Sequence, residues 1–277
     1  MIRITSLCDN VNDSKKLWSV EGNSILVEID GKKFLFDTGR NGVILEHNLA
    51  ILGVTPEEID GVVLTHGHMG HIGAMRDGIS FPNAMFYYGK GIERPKVKWS
   101  PEKTKAVRNE DLVASVKQSC PWIEVDDLHE LVPGKAYLFK SRLLSDALPP
   151  SDLLRMKIFA GEKLERDLFE EELNLCIRHP KGLILLTGCA HRGVYNIVST
   201  AQSIFPGEQI YAMIGGTHAF DNAAVVDSYI LQMKELAVSL VAPSHCTGVI
   251  GRASIAKAMP KEYVPFGTGA QLEFSEE

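Results

Sequence analysis

The segment Thr65-His66-Gly67-His68-Met69-Gly70-His71, which follows the apolar run Val62-Val63-Leu64, constrains this chain more than any other part of it. In an extended segment successive side chains alternate in direction, so His66 and His68 leave the same face and can grip one ion together. The next residues, Ile72-Gly73-Ala74-Met75, read as the start of a helix, a turn that swings the His71 imidazole back toward the same point. Three neutral nitrogen donors at this spacing favour a borderline transition metal over calcium, which prefers oxygen ligands; zinc suits them best, with iron or manganese as alternatives. Three histidines at one strand-to-helix junction are a more specific signal than a lone histidine, so a metal-free surface loop is the lesser reading.

Composition limits what else the chain can be. Of its 277 residues, 45% are hydrophobic and 23% charged, the profile of an ordinary globular protein. No apolar run approaches the roughly 20 residues that cross a bilayer. Met1 to Leu7 alternates like a strand and lacks the apolar core of a signal peptide, so the expected location is the cytoplasm. Cys8, Cys120, Cys176, Cys189 and Cys246 are odd in number and scattered, which argues against a disulfide framework. A net charge of −6 argues against a nucleic-acid partner, since affinity for a phosphate backbone comes largely from counterions released at a basic surface.

Along the chain, residues 1 to 40 read as β-rich. Ser24 to Ile29 and Lys33 to Phe36 flank Asp30-Gly31, a hairpin turn signal, and the second run ends in Asp37-Thr38-Gly39. Thr55-Pro56-Glu57-Glu58 carries an N-cap, a proline at the first helical position and a Glu placed to close a capping box. Between 90 and 108, seven cations (Lys90, Arg94, Lys96, Lys98, Lys103, Lys105 and Arg108) face two acids, Glu93 and Glu102, around Trp99. This is either a solvated face or a flap that brings cations to a phosphorylated or carboxylated substrate. Pro121-Trp122-Ile123, Pro133-Gly134 and Leu148-Pro149-Pro150-Ser151 mark turns, and the acid-rich 162 to 172 is expected to face solvent. With no clean linker, the expectation is a single domain over 1–277 with a decorating insertion at about 90–170.

From 172 the pattern of the first half returns. Leu173 to Ile177 and Leu183 to Leu186 flank a Pro-Lys-Gly turn and lead into Thr187-Gly188-Cys189-Ala190-His191-Arg192-Gly193, which suggests an internal duplication. Val194, Ile197, Val198, Ala201 and Ile204 then fall on a helical stripe. His218 and His245 follow two further apolar runs, and ligands collect at the loop edge of a layered α/β fold.

The histidine loop resembles the metal-binding loop of the metallo-β-lactamase superfamily, His-x-His-x-Asp-His after a buried strand, except that Gly70 stands where that family has an Asp ligand for a second metal. Gly188-Cys189-Ala190-His191-Arg192-Gly193, Gly215-Gly216-Thr217-His218 and His245-Cys246-Thr247-Gly248 are similar to the branch that holds the archaeal dihydropterin-ribofuranosylaminobenzene phosphate synthases and many bacterial metal-dependent hydrolases. The resemblance runs from the first strand to Val264–Gly269 and weakens between about 90 and 165. It implies an α/β fold, a four-layer αββα sandwich with metals at one edge of two sheets. It implies that His66, His68 and His191 hold a first metal, that His71 and His245 hold a second, and that Asp37 supports the loop by hydrogen bonds. Cys189 is either a substitute or bridging ligand, since a thiolate binds zinc well, or a small residue packed beneath the loop.

These assignments imply an enzyme with one or two divalent transition metal ions and a small, anionic or phosphorylated substrate. A hydrolase acting through a metal-activated water on a phosphoester, ester or lactone is the first expectation. A transferase condensing a dihydropterin methyl diphosphate with a ribofuranosylaminobenzene phosphate is the alternative. A ligand-binding protein whose second site is impaired by Gly70 is a further one. His218 is expected to contact substrate or donate a proton, or else to be structural; Arg192 is either a phosphate contact or a surface cation. No membrane partner is expected, and the sequence is compatible with a homo-oligomer.

Overall fold

The computed structural model describes residues 1–99, 104–107, 110–143, 156–160, 163–220 and 222–275. Glu102, Lys103 and Arg108 of the basic stretch, the side chains of Trp99 and Lys105, Glu162 and the Leu148-Pro149-Pro150-Ser151 turn lie outside the described residues.

The first half runs β1 (Ile2–Cys8), β2 (Ser24–Ile29), β3 (Lys32–Phe36), α1 (Gly42–Ile51), β4 (Gly61–Leu64), α2 (Met69–Ile72) and β5 (Met85–Gly89). Asp30 and Gly31 take φ of 52° and 81°, the left-handed pair that a tight hairpin between β2 and β3 needs. Asn41 caps α1 by accepting from Ile44 N at 3.0 Å, and Glu58 closes the capping box on Thr55 N at 2.8 Å around a single 3₁₀ turn. Next come β6 (Lys96–Trp99), β7 (Thr104–Val107), α3 (Glu110–Ser119), β8 (Trp122–Val125), β9 (Leu128–Val132), β10 (Ala136–Lys140), β11 (Met156–Ala160) and β12 (Lys163–Arg166). The second half holds β13 (Leu173–His179), β14 (Gly182–Thr187), α4 (Val194–Ile204), β15 (Ile210–Gly216), α5 (Ala223–Glu235), β16 (Leu240–Ser244), α6 (Val249–Ala258) and β17 (Gln271–Phe274).

Among the described residues the strands form a seven-stranded sheet ordered β17-β1-β2-β3-β4-β5-β8, a six-stranded sheet ordered β16-β15-β14-β13-β10-β9, and a small sheet ordered β12-β11-β6-β7. Alternation along each strand decides the layering. Val63 faces the core between the two large sheets while its neighbours Val62 and Leu64 pack under α1 and α3; Ile184 and Leu186 face the same central core while Leu183 and Leu185 pack under α4, α5 and α6. Both faces of both sheets are thereby covered, giving a four-layer αββα sandwich.

Each half sets an antiparallel hairpin beside parallel strands: β2-β3 next to β4 and β5, and β13-β14 next to β15 and β16. The parallel strands β4, β14, β15 and β16 deliver His66, His191, His218 and His245 from their C-terminal ends. Loops at those ends gather at one edge, which is where open α/β sheets bind ligands.

The segment expected as one insertion divides in two. β6, β7, β11 and β12 stand apart as an antiparallel sheet, whereas β8 extends the first large sheet and β9 and β10 extend the second. Trp122 and Ile123, which follow Pro121 in what reads as a turn, are strand residues paired in parallel with Phe86 and Tyr87. Pro121 sits just before the strand, where a missing N–H costs nothing, and its carbonyl accepts from Phe86 N at 2.9 Å. The acid-rich run does not face solvent throughout: Asp167, Glu171 and Glu172 are buried because each has a partner brought by another element.

Candidate metal centre

His66 Nε2 lies 3.1 Å from His68 Nδ1 and 3.1 Å from His191 Nε2. His71 Nε2 lies 3.2 Å from His245 Nε2 and 3.1 Å from Cys189 Sγ. The second-half histidines therefore meet the first-half loop, and the turn at His71 carries its ring into the second group instead of completing a three-histidine set with His66 and His68. The His66 and His71 rings still stand only 4.0 Å apart, so the two groups adjoin. Cys189 belongs to both: its sulfur groups with His66 and His191, and with His71 and His245, with all donor atoms in each group within 4.8 Å of one another.

Hydrogen bonds outside the cluster fix which nitrogen is bare in His66, His71 and His245. The Thr65 hydroxyl gives its one proton to Asp37 Oδ2 at 2.9 Å, so its oxygen can only accept from His66 Nδ1, also at 2.9 Å. His71 Nδ1 donates to Asp37 Oδ2 at 2.5 Å, because a carboxylate only accepts. His245 Nδ1 donates to Asn10 Oδ1 at 3.0 Å; that atom also takes the Gly22 N–H at 3.1 Å, which marks it as the amide oxygen. The Nε2 lone pairs of His66, His71 and His245 are all left pointing inward, and two of them face each other across 3.2 Å with no proton between. Such a set is unfavourable without a shared cation. Its spacing fits one: a tetrahedral zinc with bonds of about 2.0–2.1 Å to nitrogen sets its ligands roughly 3.3 Å apart.

Burial pushes the histidines the same way. His66, His191 and His245 are buried, and desolvation, with neighbouring imidazoles second, holds their pKa values well below the ordinary range; desolvation does the same for His68, with the Lys96 charge second. They are neutral donors at neutral pH. Burial also raises the Cys189 thiol, with Cys246 next in effect, so Cys189 becomes a thiolate only where a cation compensates it.

The supports come from distant parts of the chain. Asp37 accepts from Thr65 N, Thr65 Oγ1 and His71 Nδ1, so it braces the loop at three points, and it also accepts from Asn23 Nδ2 just before β2. Asp9 Oδ2 accepts from His245 N at 2.6 Å, and Arg252 grips the same carboxylate at 2.6 Å to Oδ1 and 2.9 Å to Oδ2. Glu172 takes the His191 N–H at 2.7 Å and the Arg192 N–H at 3.1 Å; burial lifts its carboxyl to about 7 while those two N–H groups oppose the shift. Phe169 stacks on His191, with centroids 3.8 Å apart and planes within 3°. Behind Phe169, the Lys96 ammonium sits 4.4 Å from the ring centroid and 2.6 Å from both Asp167 and Glu171. Burial alone would lower Lys96, but Glu171 and Asp167 outweigh it and hold it above its ordinary value.

His218 stands at the cluster's edge, its ring 4.2 Å from that of His191, and its Nδ1 has no hydrogen-bond partner among the described residues. Burial lowers its pKa to about 3, so at neutral pH it is an uncharged hydrogen-bonding group. Arg192 is half-buried beside His191. A cavity of about 260 Å³ opens next to His245, lined also by Asn10, Val11, Phe220, Gly248, Val249 and Arg252.

Asp9, Asn10 and Phe169 are not singled out by the sequence, which places Lys96 only among the cations of residues 90–108 and Glu172 only in the acid-rich run. Asp9 and Asn10 follow the buried strand β1 as Asp37 follows β3, and that repeated pattern is the signal that could have found them. Glu171 and Glu172 directly precede a buried strand, an unlikely place for solvated charge.

Sequence and structure comparisons place the chain among known proteins. The 7,8-dihydropterin-6-methyl-4-(β-D-ribofuranosyl)-aminobenzene-5'-phosphate synthase of Methanocaldococcus jannaschii is 26% identical over 288 aligned residues, covering 99% of this chain and 97% of the synthase. An uncharacterized protein of the same archaeon is 28% identical over 265, covering 90% and 91%. A crystal structure described as a metal-dependent hydrolase of the β-lactamase superfamily superposes with a TM-score of 0.81 at 27% identity, over 99% of this chain and 100% of the other. Residues 19–245 match the sequence profile of the metallo-β-lactamase superfamily. The chain therefore belongs to that superfamily, as an enzyme of the hydrolase or related transferase kind.

Proposed function

We propose that this protein is a metal-dependent hydrolase that cleaves a phosphoester, ester or lactone bond in a small anionic substrate, in the cytoplasm. The observation that carries this reading is the pair of inward lone pairs on His71 and His245, each fixed by an outer partner, 3.2 Å apart. His66, His68 and His191 would hold a first ion, and His71, Cys189 and His245 a second, with zinc best suited to nitrogen and sulfur donors. Bound there, such an ion lowers the pKa of a water molecule to about 7 and polarises the oxygen under attack. The protein's own groups do the rest. Asp37 and Glu172 hold the ligand loops still, His218 offers a neutral hydrogen bond to the substrate, and Arg192 offers positive charge to its anionic part.

A second reading has its own support. Full-length similarity to a protein named as a synthase favours a transferase in which the same centre stabilises a departing diphosphate. One experiment separates the two. Protein purified without chelators is assayed for metal content and offered phosphodiesters, lactones and a pterin methyl diphosphate with and without an aromatic amine. The hydrolase reading expects one to two zinc-like ions per chain and turnover that needs only water, falling at least 100-fold in His191→Ala. Turnover that appears only with the amine favours the transferase, and a chain that holds no metal refutes both.

A further inference from the structure

Arg192 also lines a second cavity, of about 290 Å³, together with Lys90, Arg94, Asp127, Lys140, Ser141, Arg142 and Glu170. We propose that it binds a phosphomonoester group of the substrate, held apart from the bond that reacts. The inference rests on the reading of the histidine cluster as the reacting centre and names what that centre's substrate must carry.

Five cations line the cavity against two carboxylates, and one of those, Glu170, is already engaged by Arg94 at 2.9 Å. Positive charge in excess at one concave site calls for an anion. Two polar groups call for it independently. Ser141 is 1% exposed, and among the described residues neither its hydroxyl nor the buried Arg192 Nε has a hydrogen-bond partner. Buried polar atoms are costly to leave unpaired, and a ligand with acceptor oxygens would pair both.

The cavity wall is built, not incidental. Arg142 N donates to Thr200 Oγ1 at 2.9 Å, Thr200 Oγ1 donates to Asn196 O at 2.6 Å, and Asn196 Nδ2 donates to Arg192 O at 2.8 Å. The first turns of α4 thus set the spacing of Arg142 and Arg192 across the cavity. Lys140 N is tied to Asp127 O at 3.0 Å, which fixes the end of β10 on the third side. Guanidinium forks match tetrahedral oxyanions, and a dianion with three acceptor oxygens suits this many donors better than a lone carboxylate does.

The link to the centre is direct. Consecutive Cα atoms are about 3.8 Å apart, so Arg192 sits one peptide from His191, and the Glu172 carboxylate clamps both of their N–H groups. The acidic loop spans both sites: Phe169 stacks on His191, while Glu170 holds Arg94 in the cavity wall. A substrate anchored here would lay its next few atoms over the cluster, so the phosphate serves as a handle and the reacting bond lies beyond it.

The test uses inorganic phosphate as the probe, titrated by calorimetry into metal-loaded protein and into chelated protein that retains its circular dichroism. The expected result is binding to both within threefold, weakened at least tenfold in Lys90→Ala/Arg142→Ala and measurably in Ser141→Ala, with metal content unchanged in each variant. Binding that disappears on chelation and survives in the double variant would put the anion on the metal and overturn the proposal, as would no binding at all. Failure of the metal reading shows separately, as absent metal with the phosphate response intact.

Discussion

Gly70 shows how one missing side chain bears on the centre. A Cβ built there would lie 3.5 Å from Gly22 Cα and 3.9 Å from His245 Cε1, which is ordinary contact, so the position has room and faces the second ligand group. Gly22 opposite is constrained: with φ of 151° its Cβ would come within 2.6 Å of the Gly70 carbonyl. Without a carboxylate at 70, the second group is two neutral imidazoles and one thiol, which carries less negative charge than an Asp-containing set. Gly70→Asp is therefore expected to raise occupancy of the second ion toward one per chain and to raise turnover, read by metal analysis and the substrate panel. No change in either would favour a one-metal or ligand-binding role, and two ions per chain in the unaltered protein would show that the second site is not impaired.

At the scale of elements, the loop from Asp167 to Glu172 joins the small sheet to the metal centre through one buried cation. Lys96, Asp167 and Glu171 are all nearly inaccessible, so each ion depends on the others for compensation. Lys96→Met is expected to destabilise the fold by about 3–5 kcal/mol in denaturant unfolding, because it leaves two carboxyls buried without their cation. Replacing the set together, as Lys96→Met/Asp167→Asn/Glu171→Gln, should recover most of that loss. If the single variant is as stable as the original, the triad does not hold the loop. The basic stretch thus splits between roles: Lys96 is a buried partner, Lys90 and Arg94 line the phosphate cavity, and Lys98 is exposed on β6.

For the molecule as a whole, the ligand set spans both halves. His66, His68 and His71 come from the first sheet, and Cys189, His191 and His245 from the second. A cation held by both binds only the assembled sandwich, so it stabilises by mass action, about 4 kcal/mol at a thousandfold excess over its dissociation constant. Chelation should lower the melting temperature by roughly 8–16 °C at the 2–4 °C per kcal/mol of large domains, as followed by calorimetry. An unchanged melting temperature after complete metal removal would mean that the halves do not share an ion. Among the described residues no helix is long and apolar enough to cross a membrane.

What the sequence determined by itself was the local pattern: the alternation that places Val62, Val63 and Leu64 on two faces, the Asp30-Gly31 turn, the stripe on α4, and the histidines at strand ends. These depend on backbone period and short-range sterics, which a few neighbouring residues fix. Only the tertiary structure decided the rest. Local geometry aims His71 at His66 and His68, and it is the arrival of the Cys189 and His245 loops, with Asp37 holding the ring, that sets it in the group the family resemblance implies. Glu171 and Glu172 went inside because Lys96 and the His191 and Arg192 amides, distant in sequence, arrive there to receive them. A buried charge is stable only beside its partner, and no local pattern says which distant residue that partner is.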